Sequence, residues 1–249
     1  MTKKRGPSDD AEHSSKHSKR RQTSESFSFR NPAVQVMVGK QTGNSTPRTF
    51  TVLQNLLTSD SKFFERMLQS DFSESKEGIV KLPECEPEIF DLYVMFLYHG
   101  DIFSAPAVKT KQVPNEDGFK EKCTLIDAIG LADFLQSDAF HNSCINAFLD
   151  CCNEYNSSFR GHQADLRIFK AGVPSLIKLV EDFYVYSSGV NWFTEEFNKG
   201  TLKSLSEHPE FYHDILVQSL RLLDSGGRMG QLPWEQNRCH YHRHVGVPV

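Results

Sequence analysis

Residues 50–64 read FTVLQNLLTSDSKFF, and within this stretch the pattern of a β-strand changes to that of an α-helix. Apolar and polar residues alternate up to Val52, which is typical of a half-buried strand. Beyond it, apolar residues recur in pairs at helical spacing, which predicts two short helices that each bury one face. The TSDS segment between them supplies N-cap candidates for the second helix. The stretch therefore predicts a strand that leads directly into a pair of helices.

The residues on either side add a small sheet and more helices. Val34–Gly39 has the alternation of a strand and predicts a hairpin with the strand just described. Residues 79–82 predict a short third strand. Pro87 is suited to the first position of a third helix, which Gly100 ends. A polar loop is predicted for residues 101–122, with two helices after it, so the fold class is α+β.

The last part of the chain, residues 156–249, also has helical patterns. Apolar stripes follow Pro174 and Pro209, and the second stripe stops at Gly226. Such stripes are more often core than a cofactor site. We therefore predict an all-helical extension that stacks on the first part of the chain and ends in a tail containing cysteine and histidine.

The charge is distributed unevenly along the chain. The 249 residues carry a net charge of −4, but residues 1–30 carry eight basic and four acidic side chains, so the remainder carries −8. Few apolar residues occur in this first segment, too few to offset an ordering entropy of about 1–2 kcal/mol per residue. We predict three parts: a disordered basic tail at 1–30, an α+β domain at 31–155 and the helical extension at 156–249.

Two basic clusters in the predicted tail have the spacing of a bipartite nuclear import signal. The clusters consist of Lys3, Lys4 and Arg5, and of Lys16, Lys19, Arg20 and Arg21. They predict an import receptor as a partner and a nuclear protein, with a solvated tail on a cytoplasmic protein as the alternative. Since no apolar run could cross a bilayer and no secretory signal is visible, we expect no membrane partner and reduced cysteines.

The predicted domain resembles a BTB/POZ domain over roughly residues 31–155. The resemblance is carried by Val36-x-Val38-Gly39, Phe50-x-Val52-x-x-x-Leu56-Leu57-x-x-x-Ser61-x-Phe63-Phe64, Phe72-x-Glu74, Leu82-Pro83-Glu84, Glu86-Pro87-Glu88-x-Phe90, Leu97-Tyr98-x-Gly100, Leu125-Ile126-Asp127-Ala128 and Leu131-Ala132-Asp133-Phe134-Leu135. It implies a small β-sheet flanked by a helical cluster, in the style of the BTB proteins that are abundant in filamentous fungi.

The resemblance implies a non-enzymatic protein–protein interaction module that forms a homodimer of two-fold symmetry. The dimer surface of the family uses the first helix and the neighbouring strand, which here gives Phe50, Val52, Leu53 and Leu56. The alternative is that these side chains fill the core of a single chain. The homodimer would act as a scaffold or a nuclear regulatory factor.

Two positions depart from the family pattern. Ala33 stands where an acidic residue is usual, and Leu53-Gln54 stands where a His-Lys pair is usual. Some dimeric BTB domains use a charged pocket near these positions, so a function that depends on this pocket does not carry over. Leu53 increases the apolar area there.

The second function that the resemblance implies is a substrate adaptor of a cullin-type ubiquitin ligase. The predicted cullin contacts are Tyr98, His99 and Asp101, together with the segment after residue 155. The chain has no repeat domain of the kind that holds a substrate in other adaptors. It also has no zinc-finger array, so we predict no sequence-specific DNA binding.

One cluster near the C-terminus has the character of a metal site: Cys239, His242 and His244 could supply three ligands, with His240 or a distant cysteine as the fourth. Alternate histidines share one face of a strand, so they could hold a structural zinc ion. The alternative is a terminal tail whose histidines do nothing. No nucleophile elbow, P-loop or dinucleotide fingerprint occurs, and we predict no catalytic residue, no other cofactor and no small-molecule substrate.

Overall fold

The computed structural model describes residues 32–41, 46–69, 79–106, 114–155, 162–187, 207–226 and 232–244. The first elements are β1 (Ala33–Val38), β2 (Arg48–Leu53), α1 (Gln54–Asp60), α2 (Lys62–Gln69) and β3 (Ile79–Leu82). They are followed by α3 (Pro87–His99), α4 (Pro114–Leu135), α5 (Asp138–Glu154), α6 (His162–Ala171), α7 (Pro174–Ser187), α8 (Pro209–Asp224), α9 (Pro233–Gln236) and a 3₁₀ turn (Arg238–Tyr241). Among these described helices, none combines the length and the apolar composition that a membrane crossing requires.

The three strands form one sheet in the order β2-β1-β3. β1 and β2 are antiparallel with Val36 opposite Phe50, so the predicted hairpin is confirmed. β1 and β3 are parallel, and Val36 lies opposite Val80. Alternate residues of β1 are buried because successive side chains of a strand point to opposite faces. This small sheet and its many helices confirm the predicted α+β fold class.

An aromatic cluster on α3 joins the sheet to the helices. The ring of Phe90 lies 5.0 Å from that of Phe50 on β2 and 6.5 Å from that of Phe64 on α2. One turn further along α3, the ring of Tyr93 lies 4.9 Å from that of Phe140 on α5. Edge-to-face pairs, such as those of Phe90 with Phe50 and Phe64, add to the free energy gained by burying the rings. The third helix therefore holds the sheet, α2 and α5 in fixed positions.

A buried polar network around Asp60 joins three parts of the fold. The Asp60 carboxylate accepts hydrogen bonds from the hydroxyls of Tyr93 (2.8 Å) and Ser137 (2.6 Å). The neighbouring Ser61 hydroxyl donates to the carbonyl of Leu135 at 2.6 Å. Burial raises the pKa of Asp60 above its ordinary value, although both hydrogen bonds to its carboxylate oppose the shift. The end of α1 is thereby connected to α3 and to the link between α4 and α5.

The loop predicted for residues 101–122 is wrong from residue 114 onward, because α4 begins at Pro114. The added turns have no simple apolar stripe, and Gly118 lowers the helix propensity further. Tertiary packing outweighs this low helix propensity. A Cβ at position 118 would lie 2.5 Å from the ring of Tyr155, so only glycine fits there. The buried Glu121 accepts a hydrogen bond from the Ser104 hydroxyl at 2.7 Å, which connects the residues after α3 to α4.

The extension shares its core with the first part of the chain. The buried apolar residues form one continuous cluster from β1 to the 3₁₀ turn. Residues 232–244, which we call the C-terminal strap, pack against α5 and α7 and are not a free tail. The ring centroid of Trp234 in the strap lies 4.5 Å from that of Phe183 on α7. Tyr241 is fully buried and donates a hydrogen bond to Asp182 at 2.7 Å.

A buried histidine connects α5, α7 and the strap. His141 is fully buried, and its Nε2 lies 2.8 Å from the hydroxyl of Ser175 at the start of α7. Its Nδ1 lies 3.1 Å from Oδ1 of Asn142, which also accepts the backbone N–H of Arg243 in the strap at 2.8 Å. Burial lowers the pKa of His141 to about 4. The neutral ring is therefore the form that the fold holds at neutral pH.

Acidification is expected to destabilise the fold through His141. The pKa of this histidine is about 6.5 in the unfolded chain and about 4 in the folded chain, so between these pH values the unfolded chain binds a proton that the folded chain does not bind. The stabilisation that the neutral His141 gives the fold is therefore complete above the pKa of the unfolded chain, and it is lost as the pH falls toward the pKa of the folded chain. From this residue we expect a loss of about 2 kcal/mol between pH 7 and pH 5. Urea unfolding at both pH values measures it.

The matched variant is His141→Gln, which keeps a polar side chain that does not titrate. Its stability should depend less on pH in this window than that of the wild type. Asp133, Arg243 and His242 also act electrostatically on His141 and remain in the variant, so the difference reports on the imidazole itself. Equal slopes for the two proteins would contradict the assignment.

Candidate interaction surfaces

A cluster of exposed apolar side chains lies at the C-terminal end of α3. The exposed fractions are 37% for Met95, 46% for Tyr98 and 54% for Phe103. Met95, Tyr98 and His99 are three and four residues apart and share one face of the helix. The ring of Phe103 returns to lie 5.3 Å from that of His99. Together with Leu53, these four residues form what we call the α3-end surface.

The local backbone explains how this surface forms. Gly100 ends α3 in the left-handed conformation, with φ of 76°, and its N–H bonds to the carbonyl of Phe96. This turn reverses the chain so that Phe103 can lie against His99. The half-buried Leu53 reaches the same place from the end of β2, where its backbone N–H donates to the Tyr98 hydroxyl at 3.5 Å. Residues of two separate elements thus meet at one exposed surface.

The structure brings together the residues predicted from sequence as partner contacts. Tyr98 and His99 are neighbours in the last turn of α3, and Asp101 follows directly after Gly100. All three are exposed. Phe103 was missed by the sequence analysis, although an aromatic residue in a polar segment was a signal that could have indicated it. Whether these residues bind a partner stays a prediction.

The predicted dimer surface needs a correction. Phe50 is 7% exposed, Val52 is fully buried and Leu56 is 4% exposed in the single chain, so these three are core residues. For Phe50 the physical reason is its packing against Phe90 on α3, with 5.0 Å between the ring centroids. Only Leu53 of the four predicted residues keeps an exposed part. The alternative left open by the periodicity, a role in the core, holds for the other three.

A groove of about 540 Å³ lies between α2, the turn after β3, α4 and α6. Apolar contacts come from Phe63, Met67 and Phe134, and the exposed Phe134 ring lies 4.9 Å from that of Phe63. The Asp127–Arg167 ion pair, 2.5 Å long, lies at one side. The sequence did not predict this groove, because its residues come from four separate segments that only the tertiary fold brings together.

Three of the four predicted metal ligands do come together in the strap. The ligand atoms of Cys239, His242 and His244 all lie within 4.8 Å of one another. His240, one of the two candidates for the fourth ligand, is not part of this cluster, and the histidines do not lie on a strand. Residues 238–241 form a 3₁₀ turn, in which positions three apart lie above one another, so Cys239 faces His242. The cluster forms by this spacing rather than by alternation.

The residues predicted for nuclear import lie outside the described part of the chain. Both basic clusters, Lys3, Lys4 and Arg5 and the later Lys16, Lys19, Arg20 and Arg21, precede residue 32, where the described residues begin. The prediction that they bind an import receptor therefore stays a prediction.

The fold described above, with its antiparallel hairpin, parallel third strand and packed helices, defines a small α+β domain. Residues 34–151 match the family model of the BTB/POZ domain, and this part of the chain is a BTB/POZ domain. The resemblance seen in the sequence is thereby confirmed for these residues. No curated protein was found to match the chain. Since BTB/POZ domains are protein–protein interaction modules, the chain contains such a module.

Proposed function

We propose that the chain is a non-enzymatic interaction module that binds a protein partner on the α3-end surface. The observation that supports this most is the convergence of Met95, Tyr98 and Phe103 at one exposed place. Exposed aromatic side chains that cluster in this way are typical of the residues that contribute most to binding free energy. Contacts within the surface, between the rings of Phe103 and His99 and from the Leu53 N–H to the Tyr98 hydroxyl, restrict two of these side chains before a partner binds, which reduces the entropy lost on binding.

The partner we propose is the N-terminal domain of a cullin, which makes the chain a substrate adaptor of a ubiquitin ligase. The family resemblance implies contacts at the end of the third helix, in the following loop and in the first helices after the domain. Tyr98 and Phe103 are exposed in the first two of these places. Helices α6 and α7 follow the domain and share its core.

The second candidate partner is another copy of this chain, as a scaffold or nuclear regulatory factor would require. The observation in its favour is that Leu53, the partly exposed member of the predicted dimer surface, adjoins Tyr98. A second copy would therefore cover the same α3-end surface.

Sedimentation velocity of the purified chain, alone and mixed with a cullin N-terminal domain, distinguishes the two partners. A faster-moving complex only in the mixture supports the adaptor. A concentration-dependent dimer of the chain alone supports the homodimer. A monomer under both conditions contradicts both proposals.

We also propose that the basic clusters direct the chain to the nucleus, and we predict that deleting residues 1–22 removes nuclear accumulation. The test is microscopy of a fluorescent fusion too large to diffuse through the nuclear pore. A full-length control with Asp9, Asp10 and Glu12 replaced by alanine keeps both clusters and should stay nuclear. An unchanged nuclear signal in the deletion variant would refute the role of the segment, whereas a full-length fusion that stays in the cytoplasm would favour the alternative of a cytoplasmic protein.

A further inference from the structure

We propose that Cys239, His242 and His244 form a binding site for a divalent transition metal, with zinc as the ion that fits the donors best. Their three ligand atoms lie within 4.8 Å of one another. In a tetrahedral zinc site, with Zn–S near 2.3 Å and Zn–N near 2.0–2.1 Å, ligand atoms are roughly 3.5 Å apart. Cys239 and His244 are exposed, so the proposed site requires their side chains to rotate toward the half-buried His242.

The donor set itself indicates the class of metal. One thiolate and two imidazoles suit zinc and its neighbours among the transition metals, whereas magnesium and calcium prefer oxygen ligands. The cluster supplies three of the four ligands that a tetrahedral zinc ion takes. We propose a structural role, in which the ion connects the 3₁₀ turn to the extended residues that follow it.

A neighbouring side chain fixes the orientation of one ligand. Nε2 of His242 lies 3.1 Å from Oδ1 of Asn146 on α5, and a carbonyl oxygen can only accept a hydrogen bond. Nε2 therefore carries the proton and donates it, which leaves Nδ1 as the metal-binding atom. A second hydrogen bond of this kind is a common feature of metal-binding histidines and holds the ring in place.

The backbone that carries the ligands is anchored on both sides. The backbone of Arg243, between the two histidines, forms two hydrogen bonds with the side chain of Asn142. The Arg243 N–H donates to Oδ1 at 2.8 Å, and the Arg243 carbonyl accepts from Nδ2 at 2.9 Å. Tyr241, next to His242, is fully buried. A ligand set on an anchored segment loses less entropy when the metal binds than one on a free tail.

The two arginines near the cluster each have a carboxylate partner. Arg238 forms an ion pair with Asp150 at 2.7 Å, and Arg243 forms one with Asp133. These carboxylates reduce the repulsion that the two guanidinium groups would exert on a divalent cation. Sequence, backbone and charge thus favour metal binding at the same place.

The test uses the full chain without a histidine tag, treated with a chelator and titrated with Co²⁺ as a spectroscopic substitute for zinc. We expect one cobalt ion per chain, visible d–d absorption and a near-ultraviolet thiolate-to-cobalt band. Cys239→Ser should remove the thiolate band, and His244→Ala should weaken binding at least tenfold. Both residues are exposed, so their replacement should leave the fold intact.

His240→Ala is the matched control, since His240 lies in the same turn but outside the cluster. Its cobalt affinity and spectrum should equal those of the wild type. Absence of the thiolate band in the wild type would overturn the proposal, as would equal losses from His240→Ala and His244→Ala. Circular dichroism of each variant confirms that it is folded. None of these outcomes depends on the proposed partner.

Discussion

Replacing Asp60 with alanine is expected to lower the free energy of unfolding by about 3 kcal/mol, because hydrogen bonds to a charged group contribute roughly 1.5–3 kcal/mol each. The carboxylate accepts two such bonds, from Tyr93 and Ser137, and both of these residues are fully buried. Their hydroxyls would lose their partner in a place that water reaches poorly. Urea unfolding at pH 7 measures the change.

The control is Asp60→Asn, which has the same shape and keeps one carbonyl oxygen as an acceptor. It should cost no more than about half as much as the alanine variant, since one acceptor oxygen remains for the two donors. A loss below about 0.5 kcal/mol for Asp60→Ala, the size of an ordinary surface substitution, would show that the network does not hold the fold together.

Replacing Phe103 with alanine is expected to weaken binding of the cullin N-terminal domain about 30-fold, which corresponds to about 2 kcal/mol for a residue at the centre of an interface. The ring is 54% exposed, so its removal should change the stability of the chain little. Isothermal titration calorimetry with the full-length chain measures the affinity, and thermal unfolding verifies the fold.

The matched control for this variant is Leu223→Ala on α8. Leu223 is 68% exposed and also presents an apolar side chain to solvent, but it lies on a different element. Its removal should leave the affinity for the partner unchanged. If Leu223→Ala weakened binding as much as Phe103→Ala, a general loss of apolar surface would explain the data better than a specific contact.

The sheet and the third helix could be predicted because their signals are local. The alternation around Val36 predicts a strand whatever lies nearby, and Pro87 and Gly100 act on their own backbone at the two ends of α3. The order of these elements, together with the spacing of apolar residues, was enough to indicate the family.

The start of α4 and the dimer surface could not be predicted for a different reason. Gly118 lowers the local helix propensity, and the reason for a glycine there is that the ring of Tyr155 occupies the space a side chain would need, which is a long-range contact. Periodicity shows that Val52 and Leu56 have an apolar face, but it does not show whether that face meets the core or a partner. Only the packing of α3 against β2 and α1 decides it.

The interaction and metal sites were predicted in part. Tyr98 and the Cys/His cluster were found from their residue types, whereas the contribution of Phe103 depends on the turn at Gly100. The 3₁₀ turn brings together Cys239, His242 and His244, the three ligands named from the sequence, and leaves out His240, which the sequence offered as a fourth. In each case the residue types indicated the kind of site, and the backbone conformation determined which residues belong to it.

Amide hydrogen exchange of the full-length chain, with and without the cullin N-terminal domain, tests the proposed binding surface most directly. We expect slower exchange on binding in residues 95–106 and at the end of β2, with no change in α8. Binding that leaves residues 95–106 unprotected, or a cullin domain that does not bind at all, would contradict the account.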